Sequence, residues 1–547
     1  VRAVAAPNNS LDVAVYPSYK LFKIYTDISM LVGDPEGKDK ASLSDKADIV
    51  ITRDGAEVAK TTLSYDVANN KYGQAHTFDL PDIPEGTYVV TATFNKHPTP
   101  IVKKYTRTKF EFEGNTRGIT DTIYPPFEPV KAADGNVSVV CREYGVGDLG
   151  LWKSIKSLGK EMLAGPIVIK ADDARVLTGA AKLAESKPMQ AVYTASAADD
   201  AVSVDTVCTT EIDGAMKVEL TLKPGAKKAE LKHLALEIPL KDSMIPLHHF
   251  CTTALRVNPV GELPAGEGVI WDSRKFPNGD WIGNFTPYMW LGNVDRGLAV
   301  FANNDKGWVL NWNEKKEFNP CQEIIRKDGV LTLRLNLVQK PTTIAEPRKI
   351  VLGFMASPTK PMRKDWRSIL GWSGNLGEGF EKLLPINFAM PWATGEVFCG
   401  AYPWKKDYSL YDGCMQLEGT PGGDFVKKNG FAEFRKDWLA RNGLDKPDDQ
   451  LNDYEKRVKG TGVAPVNPHY RGLNVKYWDE YHGDSWSHPE RVVFSGEFNG
   501  NIMCQSRRDF RVYHAYEFAK RGIGLYFDNT FPHATKDLVT SDAYELA

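Results

Sequence analysis

Through the first two thirds of this 547-residue chain, apolar and polar residues alternate in short runs, the period of a strand with one face buried. Asp48-Ile49-Val50-Ile51-Thr52 runs into the turn Arg53-Asp54-Gly55, and Gly86-Thr87-Tyr88-Val89-Val90-Thr91-Ala92-Thr93-Phe94 places large residues at every second position. Runs of this length, separated by Asp-Gly, Pro-Glu-Gly and Asn-Asn turns, predict an immunoglobulin-like β-sandwich over residues 1–113. A module of that kind ordinarily serves as a spacer or packing partner. Over residues 114–358 the runs lengthen, as in Lys217–Leu222 and Leu331–Val338, and a large β-sandwich of two sheets accommodates them better than two small domains. One window interrupts the pattern: Leu151 to Leu163 carries helical spacing and is expected to form a helix.

The texture changes after Pro358. Apolar pieces at Ile386–Trp392, Gly462–Val466, Arg491–Gly496 and Gly524–Asp528 alternate with helical windows at Asp424–Asn442, Asp448–Lys459 and Ser506–Arg521. Such alternation is the mark of βα units, and the expectation for residues 359–547 is a TIM-like (β/α)8 barrel carrying the catalytic site. The fold class expected is therefore multidomain: all-β sandwiches followed by an α/β barrel. A full barrel takes about 250 residues, more than follow Pro358, so the barrel is expected to be incomplete and to continue beyond Ala547.

Charge narrows the partners. Lys plus Arg number 68 against 70 Asp plus Glu, and a balance this even offers nothing to a phosphate backbone or an anionic membrane. Neither a nucleic-acid partner nor a membrane span is expected, since no run of about 18 apolar residues occurs. The N-terminal residues lack a basic region followed by an apolar one, so any signal peptide is expected to be already removed or never to have been there. The seven cysteines are widely spaced and form no Cys-x-x-Cys, which argues against a zinc knuckle or a disulfide framework. Most are expected to be buried, although Cys399 and Cys414 could pair in an oxidising compartment.

The chemistry gathers in the last third. Twelve of the 13 Trp lie from Trp271 onward, with Trp152 alone before it. In that same half stands Trp478-Asp479-Glu480-Tyr481-His482, an adjacent acid pair framed by rings just after an extended segment. Aromatic faces stack on pyranose rings while carboxylates protonate or attack at the anomeric centre, so the pattern is one that sugar chemistry uses. At a barrel strand's C-terminal end both acids can aim at one ligand, and their mutual repulsion raises one pKa. Solvated loop acids would look the same in sequence. Asp528, ending the apolar run Ile523–Phe527, and Glu497, in Ser495-Gly496-Glu497-Phe498, are further candidates on the same logic. Candidate sugar contacts are Trp392, Trp404, Tyr470, Arg471, Trp478, Tyr481, His482 and Asn529, with His469 and His533 nearby in sequence. No metal is expected, because His482 and His488 have no carboxylate at helical spacing, and no phosphate loop, nucleophile elbow or dinucleotide fingerprint calls for a cofactor.

Two stretches carry a resemblance: Trp290-Leu291-Gly292-Asn293-Val294-Asp295-Arg296-Gly297-Leu298 with Asn304-Asp305-Lys306-Gly307-Trp308, and Gly353-Phe354-Met355-Ala356-Ser357-Pro358-Thr359-Lys360-Pro361. Read alone, the first is a hairpin whose rings pack in or between sheets. Together they resemble bacterial proteins related to glycoside hydrolase family 123 and a neighbouring glycoside-hydrolase-like family with the same order of sandwiches and barrel. The resemblance spans about residues 110–547. It implies a β-N-acetylgalactosaminidase in which Glu480 is the general acid and Asp479 orients the substrate's 2-acetamido group. A conventional pair of Glu480 with Asp528 is the alternative. The expected activity is thus a secreted, periplasmic or cell-surface glycosidase acting, with retention, on an oligo- or polysaccharide. Two other classes use the same residues: a non-catalytic glycan-binding surface protein, and a polysaccharide lyase with Tyr481 or Tyr470 as base and Arg471 neutralising a uronate.

Overall fold

The computed structural model describes residues 10–32, 40–107, 109, 112–133, 135–251, 259–275, 285–311 and 319–364. It also describes shorter pieces at 370–372, 388–390, 399–403, 445–450 and 524–526, and the helical positions Gln505, Arg508, Asp509, Val512, Tyr513 and Tyr516. Contacts divide the chain into two compact units, one from 1–119 with 367–529 and the other from 120–366 with 530–547.

In the first unit seven strands, β1 (Leu11–Tyr16), β2 (Leu21–Asp27), β3 (Lys46–Arg53), β4 (Ala56–Ser64), β5 (Gly73–Asp79), β6 (Gly86–Phe94) and β7 (Ile101–Arg107), make two antiparallel sheets. Their orders are β1-β2-β5 and β4-β3-β6-β7. Alternation explains the core: Ala47, Ile49 and Ile51 of β3 and Tyr88, Val90, Ala92 and Phe94 of β6 point inward, while Asp48 and Thr93 stay in water. The β3–β4 turn puts Asp54 at φ 49° and Gly55 at φ 89°, the two-residue hairpin geometry that an Asp-Gly pair takes at little cost. Near the start of β6, Tyr88 donates its hydroxyl back to the Pro84 carbonyl at 2.9 Å, the tyrosine corner of immunoglobulin-like sandwiches.

The second unit is built on larger antiparallel sheets. One has six strands in the order Arg175–Leu177, Val168–Ala171, Leu234–Lys241, Val330–Val338, Gln322–Lys327 and Gly268–Asp272. Another has nine: Lys182–Lys187, Gln190–Ala198, Val202–Glu211, Ala215–Pro224, Arg348–Ser357, Gly297–Phe301, Tyr288–Gly292, Leu247–Cys251 and Val260–Glu262. A five-stranded meander from Lys131 to Glu161 joins them. One hydrophobic core runs through all three, drawing Tyr144 and Trp152 from the meander, Leu236 and Leu333 from the six-stranded sheet, and Val218 and Leu352 from the nine-stranded sheet. Each such fully buried aliphatic side chain contributes about 2 kcal/mol.

The helix expected at Leu151–Leu163 is absent; the segment is a hairpin of Trp152–Ser157 and Lys160–Glu161. Leu158 and Gly159 turn it at φ 49° and 73°, angles closed to a right-handed helix. Trp152 also stacks on Tyr144 across the adjoining strand, with ring centroids 4.1 Å apart and planes within 3°. Tertiary stacking and a left-handed turn overrode an apolar spacing that suited either element. Among the described residues no helix is long and apolar enough to cross a membrane.

Candidate functional site

A four-stranded sheet in the first unit lies closest in sequence to the candidate chemistry. Its order is Leu370–Trp372, Phe388–Met390, Cys399–Pro403 and Gly524–Tyr526, the first pair parallel and the other two antiparallel. Phe388–Met390 and Gly524–Tyr526 both oppose Cys399–Pro403, so they run in the same direction. Their C-terminal ends therefore emerge at one edge, together with that of Leu370–Trp372. In sequence, Trp392 comes two positions after Met390 and Asp528 two positions after Tyr526.

Asp479, Glu480, Glu497 and Asp528 lie outside the described residues, as do Trp392, Trp404, Tyr470, Arg471, Trp478, Tyr481, His482 and Asn529. The expected helices at Asp424–Asn442 and within Asp448–Lys459 beyond Gln450 lie there too, and so does Cys414. In the third window, Arg508, Asp509, Val512, Tyr513 and Tyr516 are helical, as is Gln505 just before it.

The two stretches that carried the family resemblance are brought together. Gly297–Phe301 pairs with Arg348–Ser357, setting Gly297 opposite Ser357. The Trp290 indole lies flat over this pairing: a Cβ on Gly297 would sit 2.3 Å from its ring, and one on Gly292 would sit 2.6 Å away. Only glycine leaves room for the ring at these positions. Trp290 Nε1 donates to Ser357 Oγ at 3.2 Å, and that hydroxyl lies 3.4 Å from the Gly297 carbonyl. Gly307, at φ 89°, passes so close to Lys349 that a Cβ would fall 2.2 Å from its carbonyl oxygen. Arg348 then bonds the Gly307 and Trp308 carbonyls at 2.9 and 3.0 Å, and Trp308 is buried as the hairpin reading expected.

A buried cation completes the arrangement. Arg142, 2% exposed, donates to the carbonyls of Val140 at 3.1 Å and of Ala356 and Thr359 at 2.8 Å each. Ser157 Oγ donates to the Ser357 carbonyl at 2.7 Å. The backbone leaving the nine-stranded sheet on either side of Pro358 is thereby held by three hydrogen bonds from two side chains. Sequence reading did not single out Arg142. Its signal was an arginine in register with Tyr144 and Val146 on the inward face of a strand.

Other charges in the second unit pair among themselves. Glu237, 7% exposed, accepts from Lys170 at 2.6 Å and from Arg334 at 2.8 Å, and Arg334 lies opposite both Glu237 and Glu323 in register. His233 links Asp173 at 2.8 Å to Asn336 Oδ1 at 3.0 Å. With acids and bases balanced across neighbouring strands, this row is a sheet brace. Burial pushes the Cys208 and Cys321 thiols up to about 12, which keeps them protonated and inert, whereas Cys141 and Cys251 are only partly buried. Among the described residues no three potential ligands gather around a metal position.

Residues 130–317 match the family model described as glycoside hydrolase 123, third domain. The resemblance to glycoside hydrolase family 123 is supported over that span, which includes Arg142 and the whole Trp290–Trp308 stretch. No curated protein matches the chain. The matched region is thus part of the second unit's sandwich, and the two stretches that prompted the family comparison are architectural. They shape the backbone where the chain passes from the sandwich into residues 359–547.

Proposed function

We propose that this chain is a glycoside hydrolase, and that residues 359–547 form a TIM-like barrel in which Glu480 is the general acid and Asp479 or Asp528 the partner carboxylate. The match of residues 130–317 to the third domain of glycoside hydrolase family 123 carries the reading. Adjacent carboxylates with flanking rings suit an N-acetylated sugar: Glu480 protonates the glycosidic oxygen while Asp479 orients a 2-acetamido group that attacks the anomeric carbon from within the substrate. That route retains configuration. Trp392, Trp404, Trp478, Tyr481, His482, Tyr470, Arg471 and Asn529 are the proposed sugar contacts. A β-N-acetylhexosaminide in a secreted, periplasmic or cell-surface setting is the proposed substrate class.

Of the four short strands, Leu370–Trp372 and Phe388–Met390 pair in parallel, as successive βα units do, while Cys399–Pro403 runs antiparallel to both of its neighbours. The decisive experiment is hydrolysis of aryl N-acetyl-β-hexosaminides by the full chain and by Glu480→Gln. Loss of a general acid lowers kcat about 10²-fold or more. Turnover within a few-fold of the parent would remove Glu480 from the mechanism. Glycan capture without product would point instead to a binding protein, and products absorbing in the ultraviolet to a lyase.

A further inference from the structure

Within the first unit, the segment that follows β7 closes onto residues almost 400 positions away in sequence. Gln505, Arg508, Asp509, Val512, Tyr513 and Tyr516 are helical and spaced three and four apart, so they lie along one side of a helix. Asp509 is 6% exposed although it is an acid. Its carboxylate accepts from the Gly114 backbone N–H at 2.7 Å and from Gln505 Nε2 at 2.6 Å. Asn115 Nδ2 donates to the Asp509 carbonyl at 2.8 Å. Phe112, wholly buried, meets the Tyr513 ring edge-on at 6.2 Å, and the Arg117 guanidinium lies 3.8 Å from the Tyr513 ring centroid and 5.0 Å from that of Tyr516.

The same segment is tied to the seven-stranded sandwich. Arg107 and Glu113 form a two-bond fork at 2.7 and 2.6 Å, both side chains largely buried, and Arg107 Nε donates to the Ile83 carbonyl at 3.2 Å. A continuous run of contacts therefore leads from Ile83 through Arg107, Glu113 and Gly114 to Asp509. After Tyr516 the chain proceeds to Gly524–Tyr526, the edge strand of the four-stranded sheet, and then to Asp528.

A spacer needs none of this. A buried carboxylate is costly unless it is fully bonded, and here its bonds cross from one end of the sequence to the other. We propose that residues 112–117 are a latch that makes the N-terminal sandwich an obligate part of the hydrolase body, with Asp509 as a positioning residue acting through its helix on Gly524–Tyr526 and Asp528. The link to Asp528 rests on the functional reading above, whereas the latch itself does not.

The test compares Asp509→Ala, Asp509→Asn and Arg117→Lys in the full chain. Asparagine still offers an oxygen to the Gly114 N–H, and lysine keeps the charge of Arg117 while losing its flat stacking face. Hydrogen exchange in the peptides covering 112–117 and 524–528 is measured alongside hydrolysis of an aryl N-acetyl-β-hexosaminide. The expected result for Asp509→Ala is at least tenfold faster exchange in both peptides, and a kcat reduced about tenfold with KM within twofold. Asp509→Asn should restore most of each, and Arg117→Lys should fall between. Unchanged exchange at 112–117 in Asp509→Ala and Arg117→Lys would overturn the latch. Faster exchange at 112–117 with none at 524–528 would overturn the positioning role. Should the parent chain hydrolyse nothing, the glycosidase reading fails on its own, and the two exchange measurements still decide the latch and the coupling.

Discussion

Three side chains in the described body show how single residues carry large consequences. The Trp290 ring occupies the space that a side chain on Gly297 would need, so Gly297→Ala forces either the indole or the strand pairing with Ser357 to move. Overpacking of this kind costs about 2–3 kcal/mol, and the thermal transition of the large sandwich should fall by several degrees. An unchanged transition would mean that the indole moves freely. Arg142 shows the opposite economy, a buried cation kept without a carboxylate because backbone carbonyls surround its guanidinium.

His248 adds a pH dependence. Burial, then the neighbouring His249 charge, pushes its imidazole below the ordinary histidine value of 6.5, against a hydrogen bond with the Glu262 backbone that acts the other way. Its Nδ1 has no hydrogen-bond partner. The folded state therefore resists a proton that the unfolded chain accepts. Stability from this group is complete above pH 6.5 and drains away as the pH drops through the lower folded-state value. His248→Phe should accordingly lose less stability than the parent between about pH 7.5 and 5.5 in denaturant titrations. Equal losses would assign the acid sensitivity elsewhere.

At the scale of elements, alternation was readable wherever one face of a strand meets the core. The runs at Asp48–Thr52, Gly86–Phe94, Lys217–Leu222 and Leu331–Val338 all fall within strands, with their inward residues among the buried ones. The Asp54-Gly55 turn was equally legible, because few other pairs adopt two positive φ angles cheaply. Leu151–Leu163 was not. Its spacing fitted a helix, and the deciding facts were Gly159 at positive φ and a stacking partner on another strand. The tyrosine corner lends itself to a direct measurement: Tyr88→Phe removes the bond to the Pro84 carbonyl and leaves that acceptor to be met by water. A loss of about 1 kcal/mol is expected in denaturant unfolding, with the fold retained. No loss at all would show that the bond is replaced without cost.

At the scale of the molecule, the family match falls on a sandwich while the residues proposed for chemistry lie in another part of the chain. Glu480→Gln should therefore lower kcat about 10²-fold or more without shifting the unfolding of either sandwich. A loss of stability in parallel would make the effect on activity structural. Residues 112–117 and Asp509 show why sequence order is a poor guide at this scale: their contact spans most of the chain and follows no local pattern.

Local patterning by itself determined the β-rich body, its strand runs and its turns, because a buried face imposes a period of two and a tight turn imposes its own backbone angles. A resemblance, rather than patterning, singled out Trp290–Trp308 and Gly353–Pro361. Their meaning came only from the tertiary structure, in which the strands holding Gly297 and Ser357 lie side by side beneath one indole and Arg142 reaches across to the carbonyls beyond. Contacts between residues far apart in sequence depend on which strands become neighbours, and no run of adjacent residues encodes that.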